Sequence, residues 1–174
     1  MKVRYVLIPC GRVYSMNLVS WNSGILVNYF NSTNDDYPVF DYLSPESSVL
    51  EPSNIPPFSQ QGSTLSILLN GAGKDLWGLS NNKVNLYYYS SATNSWAPVT
   101  LSWYYNIKTI EWDSINDCLL VSVLDSTTYY SQKLLKITAN NLSNAEILVD
   151  GGVATFGAIN SVATIKQQAS TNYG

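Results

Sequence analysis

Four stretches of this 174-residue chain, 18–27, 65–77, 109–121 and 156–165, repeat one layout at nearly constant spacing. In each, an apolar strand pattern runs into a turn and a second strand pattern follows. The turns are Asn22-Ser23-Gly24, Asn70-Gly71-Ala72-Gly73, Asp113-Ser114-Ile115-Asn116-Asp117 and Asn160-Ser161. Trp21, Ile67, Trp112 and Ile159 step by 46, 45 and 47 positions. A hairpin recurring with a period in the forties implies a supersecondary unit that cannot bury its own faces and stacks on copies of itself.

Helical periodicity is missing, because no window keeps apolar residues at the helical spacing for three turns. β-Branched and aromatic residues dominate instead, and turn-formers interrupt them about every ten residues. Each unit reads as four strands: 14–21, 25–30, 38–43 and 47–51 in the first; 64–69, 75–79, 84–89 and 95–100 in the second; 108–112, 118–124, 133–138 and 145–149 in the third. Segment 51–62 carries Pro52, Pro56 and Pro57 and reads as a surface connector rather than a strand. The fourth unit is divided. Its strands 153–158 and 162–167 need a partner from 2–8 at the other terminus, a pairing that would close a ring and remove exposed edges. From Ile159 through the C-terminus to Trp21 the chain has 36 residues, so the closing unit is abbreviated or stays open. The expectation is one all-β domain over 1–174. It would be a small β-propeller of about four blades, at 14–51, 64–100, 108–149 and 153–167 completed by 2–8. A two-sheet β-sandwich, or part of a larger propeller completed by another chain, are the alternatives.

The run Val84-Asn85-Leu86-Tyr87-Tyr88-Tyr89-Ser90-Ser91-Ala92-Thr93-Asn94-Ser95-Trp96 resembles the aromatic strand, short turn and tryptophan of kelch-like or WD-like propeller blades. Val39-Phe40-Asp41-Tyr42-Leu43-Ser44-Pro45 is similar to the first part of that run, and Leu134-Leu135-Lys136-Ile137-Thr138 matches it faintly. The double glycine of kelch blades is absent from the second strand of all three full units. The resemblance is therefore to propeller blades in general, and it implies a fold and no enzymatic role.

Composition sets the surface chemistry. Charged residues are only 12% of the chain, histidine is absent, and 23 Ser, 18 Asn, 11 Thr and 13 Tyr must supply most of the polar exterior. Few groups on such a surface titrate and few fields on it need screening. It suits an exposed or harsh setting, or a face packed against neighbouring subunits. A net charge of −3 with scattered Lys and Arg argues against a nucleic-acid footprint. No segment approaches the ~20 apolar residues of a membrane helix. The apolar run after Lys2 and Arg4 stops at Pro9, too soon for the core of a signal peptide, and reads as a strand. The composition is similar to that of exterior proteins of thermophilic archaea and their viruses.

Motifs that carry chemistry are scarce. Without His there is no Ser-His-Asp or Cys-His pair and no histidine metal site. Asp35-Asp36 reads as a solvated hairpin tip. Asp113 to Asp117 offers oxygen ligands but lacks the alternate spacing and closing Glu of a calcium loop. Asn70-Gly71-Ala72-Gly73-Lys74 lies between strands, with no helix N-terminus to hold phosphate, and reads as a hairpin turn. Cys10 and Cys118 cannot hold zinc unaided; Cys118 reads as a buried thiol, with a disulfide to Cys10 as the alternative. Asn31-Ser32-Thr33 and Asn141-Leu142-Ser143 are N-glycosylation triplets in expected loops. No catalytic, cofactor or metal site is expected.

The aromatics remain. Successive strand residues face opposite sides, so Tyr87-Tyr88-Tyr89 must divide between two faces, as must Tyr104 and Tyr105 if they share a strand. An exposed Tyr or Trp anchors a protein partner or a sugar face, its ring apolar and its edge polar. Trp103, Tyr104, Tyr105 and Tyr88 are the expected partner-binding residues, while Trp21, Trp77 and Trp112 are expected to pack between blades. The functional expectation is a non-enzymatic structural or interaction module in a larger assembly, such as an adaptor, tail or spike component of a virion or an extracellular surface. A carbohydrate-binding cell-surface or adhesin module is the alternative.

Overall fold

The computed structural model describes residues 13–31, 38–57, 64–128 and 131–151. The expected fourth unit (153–158, 162–167 and 2–8), Cys10 and the Asp35-Asp36 pair lie outside the described residues. Within them the chain is all-β, with twelve strands and a single 3-10 turn at Ser126–Thr128.

The strands form three four-stranded antiparallel sheets, each a meander in chain order. The first holds β1 (Val13–Trp21), β2 (Gly24–Asn31), β3 (Pro38–Leu43) and β4 (Glu51–Pro52). The second holds β5 (Leu65–Asn70), β6 (Leu76–Ser80), β7 (Leu86–Ser90) and β8 (Ser95–Val99). The third holds β9 (Tyr105–Asp113), β10 (Cys118–Asp125), β11 (Ser131–Thr138) and β12 (Asn141–Asp150). Each of the three repeated hairpins among the described residues is the first pair of its sheet. Asn22 and Ser23 make the two-residue turn after β1, with φ of 47° and 67°, the left-handed geometry whose twist matches the flanking strands. Asn70-Gly71-Ala72-Gly73-Lys74 is likewise a hairpin turn, closed by Gly71 N–H donating to Asp75 O at 2.7 Å.

Three strands start three or four residues away from the sequence expectation, and one of them, β12, begins at Asn141 rather than Ala145. The fourth strand of the first sheet is Glu51–Pro52 rather than 47–51. The Ser47 hydroxyl accepts from Val49 N–H at 3.0 Å, and Ser47 N–H donates to Ser44 O at 3.2 Å, so this segment is a local turn. Pro52, assigned from sequence to the connector, belongs instead to the edge strand, where a missing N–H breaks no ladder. The first strand of the third sheet begins at Tyr105 rather than Lys108, which places Tyr105 on a strand and leaves Tyr104 in the preceding turn.

The sheets stack in chain order. Val19, Leu26, Phe40 and Ile55 of the first unit pack against Leu65, Leu68, Leu76, Tyr87 and Tyr89 of the second. On its other face the second sheet presents Trp77, Leu79, Leu86, Tyr88 and Val99 to Ile107, Ile110, Leu119, Val121, Val123, Leu135 and Ile137 of the third. The middle sheet is therefore covered on both sides, and all five residues of β6 are buried. Such a strand loses the apolar–polar alternation of a half-exposed one and reads as a continuous apolar run. Burying each such Leu or Ile contributes about 1.5–3 kcal/mol. Three stacked sheets replace the two expected of a sandwich. The first strands lie side by side, β1 against β5 and β5 near β9. At the far edge β8 meets β12, where Thr100 N–H donates to Leu142 O at 2.9 Å.

Candidate functional site

The polar end of the third sheet gathers the side chains with most chemical character. β9 starts here, β10 ends, β11 starts and β12 ends, so Tyr105, Asp125, Lys133 and Asp150 converge from four strands. Register makes this so. Tyr105, Asp125 and Ser131 stand opposite one another in one row, and Val123, Ile107, Lys133 and Asp150 in the row two along, on the same face. The Lys133 ammonium donates to Asp125 Oδ2 at 2.8 Å, with side chains only 11% and 6% exposed. It lies 3.7 Å from Asp150 Oδ2 and 5.8 Å from the centre of the Tyr105 ring. A buried ammonium needs this set of partners, because an uncompensated charge would be far too costly in the core.

Asp125 is a junction. Its Oδ1 accepts from Thr127 N–H at 2.9 Å and from the Thr127 hydroxyl at 2.6 Å, bending the chain into the 3-10 turn. Bonding to Lys133 first, then to Thr127, holds the Asp125 carboxyl down to about 2. The same bond to Asp125 raises the Lys133 pKa. Ser126, fixed between these contacts, donates to Tyr104 O from both its N–H (3.1 Å) and its hydroxyl (3.0 Å). Tyr105 N–H donates to Ser102 O at 2.9 Å. The buried ion pair thus holds the turn that carries Trp103 and Tyr104.

That turn displays what the interior does not need. Trp103 is 77% exposed and Tyr104 37%, and their rings lie against each other with centroids 3.5 Å apart. Of the four residues expected to meet a partner, Trp103 and Tyr104 are surface groups, and Tyr105 is half-buried, its ring facing the Lys133 ammonium. Tyr88 is a correction. It is 8% exposed, packs on Trp77 at 4.6 Å between the second and third sheets, and donates its hydroxyl to Asp75. Burial, then the bond to Asp75, raises its pKa. The Tyr87-Tyr88-Tyr89 run does divide between two faces. Each face is covered by a neighbouring sheet, so all three rings are buried.

Other candidates are spent on structure. The Asp113 carboxylate accepts from Ile115 N–H (3.0 Å), Asn116 N–H (3.2 Å) and the Asn116 amide (2.6 Å), so the acidic turn is tied to itself. The Asn116 side chain, aided by these backbone donors, lowers the Asp113 pKa. Cys118 is a buried free thiol whose pKa is raised by burial and then by Asp113. Trp77 is fully buried, Trp112 lies 6.2 Å from it, and Trp21 packs edge-on to Tyr42 at 5.8 Å. The Asn141-Leu142-Ser143 triplet lies on β12 and not in the expected loop, with Asn141 exposed at the start of the strand, whereas Ser32 and Thr33 of the other triplet lie outside the described residues. Among the described residues no helix is long and apolar enough to cross a membrane.

Sequence reasoning missed Asp125, Ser126 and Lys133. The signal was present in the alternation Lys133, Leu135, Ile137, which puts a lysine on the face of two core residues and demands a buried acidic partner. The chain matches no protein-family model and no curated protein sequence.

Proposed function

We propose that this chain is a non-enzymatic assembly module, a set of β-propeller blades whose Trp103–Tyr104 turn docks onto a protein neighbour in a larger structure. The observation that carries the reading is an indole left 77% exposed on a turn whose backbone is fixed by Ser102 and Ser126. Rigid aromatic anchors held ready in this way cost little entropy to bury and are the usual centres of interfaces. The propeller reading draws support from three meanders stacked face to face with their first strands side by side. A non-enzymatic role draws support from the carboxylates. Asp113 is held by its own turn, Asp75 by Tyr88 and Ser91, and Asp125 by Lys133. The low charge and the Ser, Asn and Tyr content suit an exterior assembly such as a virion adaptor, tail or spike.

Light scattering on a size-exclusion column, run across a range of concentrations, tests the proposal. Trp103→Ala removes roughly 150 Å² of buriable ring, so it is expected to cost about 2–4 kcal/mol of association and weaken assembly roughly 30- to 1,000-fold. A monomer at every concentration that instead binds a glycan array, and loses that binding with Trp103→Ala, would replace this reading with the carbohydrate one.

A further inference from the structure

At the opposite end of the strands, the turns β1–β2 and β5–β6 face each other across an open cleft of about 390 Å³. Ser20, Trp21, Asn22 and Ser23 form one wall, and Asn70 and Gly71 face them. We infer that this cleft binds a neutral sugar, a mono- or disaccharide, independently of the aromatic turn at the other end.

Four features carry the assignment. The lining holds hydroxyl, amide, backbone and indole groups and no charged side chain, which favours a neutral polyhydroxylated ligand over an anion or a cation. Trp21 donates its indole N–H to Lys74 O at 2.9 Å and meets Tyr42 edge-on, so the ring is fixed and its apolar surface is left to stack on the C–H face of a sugar. Asn70 donates its amide N–H to Ser20 O, which links the two walls and fixes the orientation of the amide. Its Oδ1 is a buried acceptor that takes no hydrogen bond from the described residues, so the part of Asn70 that lines the cleft is its fixed amide rather than this sealed oxygen. The volume lies within the range of small-molecule sites.

The walls are also set in advance. Asn22 and Ser23 keep φ of 47° and 67° in a two-residue turn, and Gly71 N–H is bonded to Asp75 O at 2.7 Å. A ligand therefore meets a cleft that need not be ordered on binding, which limits the entropic cost.

The test is an amide NMR titration of the full chain with glucose, galactose, mannose, N-acetylglucosamine, maltose and cellobiose. At least one sugar is expected to give saturable shifts concentrated on Asn22, Ser23, Gly71 and the Asn70 side-chain amide. Trp21→Ala and Asn70→Leu are each expected to weaken that binding about tenfold or more. If either variant fails to fold, the residue map on the unaltered chain decides. No saturable shift with any of the six sugars overturns the inference. So do shifts that map to Trp103 and vanish with Trp103→Ala, because they would move the sugar site to the aromatic turn.

Discussion

Removing the Lys133 ammonium is expected to destabilise the chain more than removing the whole ion pair. Lys133 and Asp125 touch at 2.8 Å with side chains 11% and 6% exposed. At that separation and an effective dielectric near 20 their attraction is about 6 kcal/mol, most of it offset by the cost of desolvating two ions. Breaking a buried pair from one side costs about 3–5 kcal/mol, since the surviving charge keeps its desolvation penalty and loses its partner. In Lys133→Met the Asp125 carboxylate retains both Thr127 donors, so the expected loss falls toward the lower figure, about 3 kcal/mol. In Asp125→Leu the ammonium keeps, among the described residues, only Asp150 at 3.7 Å and the Tyr105 ring, and the loss approaches about 4 kcal/mol. The double variant should lose about 1–2 kcal/mol, far less than the sum of the singles. Urea unfolding at neutral pH, followed by tryptophan fluorescence, measures all four corners of the cycle. Single losses that add up to the double loss would refute the reasoning. The pH dependence is a second check. The folded pKa of Asp125, about 2, lies below its ordinary 3.8, so the contribution of the pair is complete above the ordinary value and fades as pH falls toward 2. At the alkaline limit the raised Lys133 pKa keeps the pair intact until pH passes through that raised value.

Other perturbations follow from single contacts. In Gly24→Ala the new Cβ would lie 2.3 Å from Leu43 O and 2.6 Å from the Tyr42 hydroxyl, so about 1–3 kcal/mol of denaturation free energy should be lost. Asp113→Ala should lower the melting temperature at neutral pH, where the carboxylate holds its turn. The difference from the unaltered chain should shrink on acidification, because the contribution of a depressed carboxyl is complete above its unfolded pKa and is lost as pH falls through the lower folded one. Cys118 should resist Ellman's reagent in the folded chain and react once urea unfolds it, since burial both hides the thiol and raises its pKa.

The fold was far more legible than the site, and the reason is geometric. Turn chemistry is local: Asn22-Ser23, Asn70 to Lys74 and Asp113 to Asp117 each close a hairpin with their own atoms, so spacing alone locates the first pair of every sheet. The failures arose where a residue's role depends on a distant neighbour. Tyr88 sits in an aromatic run that must divide between two faces, and only the third sheet, packed on it from residues 107–137, makes its face core. Glu51–Pro52 became a strand because β3 supplies an edge, while Ser47 was drawn into a local turn by its own hydroxyl.

Lys133 shows the same limit at the site. A charge share of 12% suggests that the few ions lie on the surface, yet this one is spent inside, where it fixes Asp125. Asp125 in turn bends the chain through Thr127, and Ser126 then grips Tyr104 O. Only the last of these contacts spans a long stretch of sequence, from Ser126 back to Tyr104, and it fixes the turn that leaves Trp103 in solvent. If exposure of Trp103 were incidental, nothing would require its turn to be braced by a buried ion pair. Loosening that pair should therefore weaken association even when Trp103 itself is unchanged. In Lys133→Met, assembly should fall while the chain remains folded. A folded Lys133→Met chain that assembles as tightly as the unaltered one would separate the brace from the docking surface.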